Sequence, residues 1–188
     1  MHTTSSPPVP ETPRRALDAR LCLLANRWGA RHTVGAFFAL MSRLGDGVFW
    51  YALMAALAVL GGVRGLWAAA HMAATGLVAL QLYRVLKRRT KRPRPFRACP
   101  GVIAHLPPLD EFSFPSGHTL QATGFTIVAL AWYPMLAPLL LPFTALVAAS
   151  RVVLGLHYPS DVLAALAIGS GLGGLSLWLV AGIMPPMV

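Results

Sequence analysis

Between Leu66 and Leu86 the chain reads LWAAAHMAATGLVALQLYRVL. As a helix rising 1.5 Å per residue, these roughly 21 residues match the ~30 Å hydrocarbon core of a bilayer. A segment of this kind must satisfy its backbone internally and turn its apolar side chains toward lipid or toward similar segments. Others accompany it. VFWYALMAALAVLGG covers 48 to 62, a further run covers Thr119 to Tyr133, and LPFTALVAASRVVLGLH follows Pro134, Pro138 and Pro142. A final run extends from about Val162 to Val180. These predict five spans, an all-α, polytopic transmembrane helix bundle. Only 12% of the 188 residues are charged and 56% are hydrophobic, whereas a soluble domain carries about 25% charged residues. Cys22 and Cys99 lie too far apart in sequence to suggest a disulfide framework or a zinc site.

The N-terminal region differs from the rest. MHTTSSPPVPETPRR, residues 1–15, is rich in Pro, Ser and Thr and is expected to be a disordered tail ahead of a single membrane-embedded domain at 16–188. LCLLA is short for the core of a secretory signal, so this region is expected to stay with the mature protein. From Ala16 to Arg43 apolar residues mix with arginines, which suits helices lying along the interface. GSGLGG at 169–174 predicts close packing of the last helix.

Net charge is +10, and seven of the basic residues fall in KRRTKRPRPFR at 87–97. Such a local cluster fits a cytoplasmic loop, an anionic-lipid contact, a nucleic-acid patch or a phosphate site. Five spans bring this loop to the same membrane face as two later polar segments, FPSGHTLQA and SRVVLGLHYPSD. In the first segment, Pro93 and Pro95 flank Arg94 and predict extended backbone there, which restricts where its guanidinium points. Guanidinium grips phosphate oxygens in pairs and the Lys87 ammonium adds a compact charge. Arg88, Arg89, Lys91, Arg92 and Arg97 are read as orienting the chain in the membrane. In the second segment Ser116 suits an N-cap, Gly117 leaves backbone open to a ligand, and His118 falls in a first helical turn that attracts anions. In the third, Arg151 interrupts an apolar run, where a charge at mid-span costs about 2.5–3.5 kcal/mol, so a position near the face with a partner is expected. Pro159 fits the first turn of a new helix and puts Asp161 four residues after His157. That carboxylate either fixes the tautomer of a nucleophilic imidazole or serves as an ordinary helix N-terminal acid.

Taken together, Lys87, Arg94 and Pro95, then Pro115, Ser116, Gly117 and His118, then Ser150, Arg151, His157 and Asp161 resemble the signature of the type 2 phosphatidic acid phosphatase family. That signature is K-x6-R-P, P-S-G-H and S-R-x5-H-x3-D, and every position of it is matched across 87–161. The resemblance implies an integral membrane lipid phosphate phosphatase. His157 would attack phosphorus to form a phosphohistidine, with Asp161 orienting it, and His118 would protonate the leaving oxygen and later activate water. Lys87, Arg94, Ser116, Gly117 and Arg151 would hold the phosphoryl oxygens. The family needs no metal or other cofactor, and its small bacterial members act on undecaprenyl diphosphate, phosphatidate, phosphatidylglycerophosphate or phosphorylated lipid sugars.

Membrane lipids and a lipid phosphate are thus the expected partners, and nucleic acid is not. The competing expectation is a lipid-binding or structural membrane protein on an inactive phosphatase scaffold; the vanadate haloperoxidase branch is disfavoured by the five apolar spans. A bacterial inner membrane is the expected location, and Arg-rich segments on the side of the site lean that side toward the cytoplasm.

Overall fold

The computed structural model describes residues 13–182. The expected disordered tail lies outside them except for Pro13–Arg15, which open the first helix. Among the described residues the elements are all helical: α1 Pro13–Gly29, α2 His32–Arg43, α3 Phe49–Leu60, α4 Gly62–Thr90, the short α5 Pro95–Ala98, α6 Gly117–Trp132, α7 Ala137–Val153 and α8 Pro159–Ala181. Four stretches are long and apolar enough to cross a membrane: His32–Leu60, Gly62–Ala98, Pro134–Val153 and Pro159–Ala181. The 16-residue α6 is the fifth segment of the sequence reading and is shorter than these. This is a multi-pass membrane bundle.

The first span departs from the expected break after Arg43. A π-turn over Leu44–Val48 joins α2 to α3, with Gly47 at φ 129°, a backbone conformation open to glycine and poorly tolerated by other residues. Arg43, Gly45, Asp46 and Gly47 read as an end to the apolar pattern; the chain instead kinks there and continues.

The core lies where α3, α4, α6 and α7 meet. Trp50, Met72, Phe125, Trp132, Leu140 and Phe143 interlock in it, with the Phe49 and Phe143 rings 4.0 Å apart. Outward faces keep large apolar side chains such as Val59, Leu66, Leu139, Leu163 and Trp178 exposed, as a lipid-facing surface requires. A polar cluster within this bundle satisfies itself. Trp132 Nε1 donates to His71 Nδ1 at 3.2 Å, and His71 Nε2 meets Ser176 Oγ at 3.1 Å.

Helix α6 packs most extensively against α8 and α4. Two glycines permit the α6–α8 approach: a Cβ on Gly169 would stand 2.7 Å from the Leu120 carbonyl oxygen, and one on Gly173 would stand 2.9 Å from Ile127 Cγ2. Gly171 and Gly174, on the other side, meet nothing. The helix order returns three connections to one face: the loop between α4 and α6, the start of α6, and the turn between α7 and α8.

Candidate active site

At that face a cavity of about 210 Å³ is lined by Lys87, Arg94, Gly117, His118, Arg151 and His157, together with Asp46, Asp110, Tyr83 and Gln121. Three cations and two imidazoles predicted from separate segments thus share one small space.

Each is held by its own element. Lys87 is in the last turn of α4 and is buried. Arg94 caps α5 in extended backbone, φ −75° and ψ 153°, because Pro95 follows it. It is almost completely buried, and Nη1 donates to the Leu156 carbonyl at 2.8 Å while Nε donates to the Asp110 carbonyl at 3.0 Å. One guanidinium therefore pins the α4–α6 loop to the α7–α8 turn. Ser116 caps α6: its Oγ accepts the Thr119 N–H at 3.5 Å and meets Thr119 Oγ1 at 2.9 Å. Its side chain is committed to the helix end, and Gly117 next to it faces the Tyr83 ring. Arg151 sits in the last turn of α7, buried, with Nη1 donating to Ser42 Oγ and with no partner on Nε. A buried guanidinium N–H without an acceptor beside this cavity suits an anion.

His157 differs from expectation in what orients it. Its Nδ1 lies 2.6 Å from the Ser113 carbonyl oxygen, whereas Asp161 Oδ2 is 3.7 Å away. A carbonyl only accepts, so Nδ1 carries the proton and Nε2 is left unprotonated, an acceptor. Nε2 faces Arg94 Nη1 at 3.3 Å. Burial, reinforced by Arg151 and Arg94 and opposed by Asp161, pushes the imidazole down to about 3, so it is neutral at physiological pH. Asp161 is fully buried and serves the surrounding framework. It accepts from the Tyr158 N–H at 2.9 Å, from the Ser113 hydroxyl, and from Arg92 Nη1 at 2.6 Å.

Several residues here escaped the sequence reading. Arg92, assigned only to membrane orientation, bridges Asp161 and Asp18 of α1, with Nη2 2.8 Å from Asp18 Oδ2, and stacks 4.0 Å over the Tyr158 ring. Asp110, given no role from the sequence, puts its carboxylate on two of the predicted phosphate ligands. Lys87 Nζ lies 2.5 and 2.6 Å from its oxygens and Arg94 Nη2 lies 2.7 Å away. Burial works against ionisation of Asp110, but Lys87 and Arg94 outweigh it and hold the carboxyl below its usual range. Asp46, in the π-turn, lies 3.2 Å from His118 Nε2. Its available signal was an acid set between glycines inside an apolar stretch, where an uncompensated charge is expensive. Among the described residues no group of three or more His, Cys, Asp or Glu side chains gathers as a metal site.

The sequence model of the PAP2 superfamily matches residues 48–184. Over 103 residues the chain is 34% identical to the decaprenylphosphoryl-5-phosphoribose phosphatase of Mycobacterium tuberculosis, a match covering 54% of this chain and 55% of that protein. Over 81 residues it is 35% identical to phosphatidylglycerophosphatase B of Escherichia coli, covering 40% of this chain and 32% of that one. The chain thus spans about half the length of the first of these curated relatives and a third of the second. The crystal structure of a transmembrane PAP2 type phosphatidylglycerolphosphate phosphatase from Bacillus subtilis superposes with a TM-score of 0.74 at 24% identity, covering 93% of this chain and 90% of that one. This last likeness is one of fold.

Proposed function

We propose that this chain, which belongs to the PAP2 superfamily, hydrolyses the phosphate monoester or diphosphate of a membrane lipid through a phosphohistidine on His157. The observation that carries the proposal is the cavity itself. A neutral imidazole with Nε2 unprotonated shares about 210 Å³ with a second histidine and three cationic side chains. In the first step His157 Nε2 attacks phosphorus, the bond from phosphorus to the lipid oxygen breaks, and His118 gives that oxygen a proton. In the second, His118 takes a proton from water, the resulting hydroxide displaces His157 from phosphorus, and inorganic phosphate leaves. Lys87, Arg94 and Arg151, with the backbone at Ser116 and Gly117, hold the equatorial oxygens as negative charge shifts onto them. Three fixed cations supply that stabilisation without a metal.

Phosphatidylglycerophosphatase B and the decaprenylphosphoryl-5-phosphoribose phosphatase act on lipids with quite different tails, which supports a polyprenyl or glycerolipid phosphate as the substrate class. Lipid-facing helix surfaces around a polar pocket suit a substrate whose tail stays in the bilayer. The basic N-terminal region and the 87–97 loop share the face of the site, and the positive-inside rule assigns that face of the inner membrane to the cytoplasm.

The test is phosphate release by the purified protein in detergent, with EDTA present, from phosphatidate, phosphatidylglycerophosphate, undecaprenyl diphosphate and a lipid A phosphate. Turnover of at least one of them, unchanged by the chelator, is expected. Absence of turnover on all four, or loss in EDTA reversed by magnesium, would overturn the reading.

A further expectation concerns the anion that the site supplies to itself. Asp110 competes with a phosphoryl group for Lys87 and Arg94, so Asp110→Asn should lower KM and tighten inhibition by inorganic phosphate, roughly tenfold for the removal of one charge-assisted contact. Inhibition curves for the two proteins measure this directly; weaker inhibition of the variant would show that Asp110 supports binding.

A further inference from the structure

We propose that Asp46 is a positioning residue for the reaction, holding His118 as the general acid and sustaining its protonated form. The inference rests on the functional reading above and deepens it.

The first observation is geometric. Asp46 Oδ1 lies 3.2 Å from His118 Nε2, and both side chains line the cavity that holds His157. An Nε2–H donated to this carboxylate leaves Nδ1 as the nitrogen that gives and takes the proton. The contact depends on the kink between α2 and α3. Gly47 at φ 129° turns the backbone, and Gly45 lets the π-turn lie against α7, since a Cβ there would stand 2.7 Å from Val147 Cγ2. The interruption in the first span is thus what sets a carboxylate beside the second histidine.

The second observation is the asymmetry of the two imidazoles. His157 Nδ1 meets a neutral carbonyl at 2.6 Å, with the Asp161 carboxylate farther off at 3.7 Å, and burial keeps the ring uncharged and nucleophilic. His118 meets a carboxylate, which favours the imidazolium needed to protonate a leaving oxygen. Burial is the largest influence against protonation of His118 and leaves its imidazole below its ordinary range; the cations Arg151 from α7 and Lys87 from α4 add to it. Asp46 sets a negative charge against these on the ring. Without it, burial and both cations would act against the protonated form.

The experiment compares wild type, Asp46→Asn and Asp46→Glu on phosphatidate and on p-nitrophenyl phosphate. An alkoxide-type leaving group needs the proton and a nitrophenolate hardly does, so a defect in the acid is selective. Asp46→Asn should lower kcat on phosphatidate by about 10² and on the aryl phosphate by only about threefold or less. The alkaline limb of its kcat profile on phosphatidate should move to lower pH by about one unit. Asp46→Glu should recover part of both effects. The ratio of the two rates within one preparation does not depend on how much of the variant folds. Equal losses on both substrates with an unmoved alkaline limb, or no loss on either, would overturn the assignment while leaving the functional reading intact. A wild-type protein inactive on the aryl phosphate and on all four lipids of the panel would overturn that reading and this inference together.

Discussion

Phosphate release by the His157→Ala protein is expected to fall by a factor on the order of 10⁴ to 10⁶, the scale on which removing a covalent nucleophile acts. The reason is local. Ser113 fixes the tautomer that frees Nε2, and Arg94 Nη1 stands 3.3 Å from that atom. The other imidazole on the cavity is His118, which is tied to Asp46. Lys87, Arg94 and Arg151 remain in the variant, so KM should change little and the loss should appear in kcat. A rapid quench with labelled substrate should trap an acid-labile, alkali-stable phosphoryl adduct on the wild type and none on the variant. Wild-type turnover by His157→Ala would exclude this residue as the nucleophile.

The second large effect is on stability. Asp161 is fully buried and receives Arg92, the Ser113 hydroxyl and the Tyr158 N–H. Arg92 in turn reaches Asp18 of α1, and Asp18 accepts the Ser160 N–H at 3.1 Å. Asp161→Ala removes the centre of this network and strips Arg92 of one of its two carboxylates. Breaking a buried pair in this way costs about 3–5 kcal/mol, which lowers the unfolding midpoint of a chain this size by roughly 10 °C. Thermal unfolding in detergent checks it. Asp161→Asn keeps the shape and some of the hydrogen bonds and should lose less. An unchanged midpoint for the alanine variant would mean that the network does not support the fold.

The helical architecture was legible because apolar runs of span length admit few other folds, and the site residues stood out because each combined an unusual type with a fixed local spacing. Arg94 could be placed in extended backbone from Pro95 alone. What escaped depends on contacts between distant segments. Nothing near Lys87 in the sequence indicates that Asp110, 23 residues on, will fold back onto it, or that Ser113 will present its carbonyl to a histidine 44 residues later. The His157 to Asp161 spacing suggested a direct pair. The two do lie 3.7 Å apart, but Pro159 starts α8 immediately and the Asp161 carboxylate also turns back onto the Tyr158 N–H as a helix cap. Arg92 was hidden among neighbours of the same charge. Asp46 falls between the two segments that the apolar pattern defines, and its flanking glycines mark a kink.

Helix α6 opens with Gly117 and His118, and α8 opens two residues after His157. The gap between acid and nucleophile is therefore set by how closely these two rods lie along their length. Bare α-carbons at Gly169 and Gly173 act as the jaws of a caliper well below the chemistry. A single methyl group added at either jaw would change the reading at its tip.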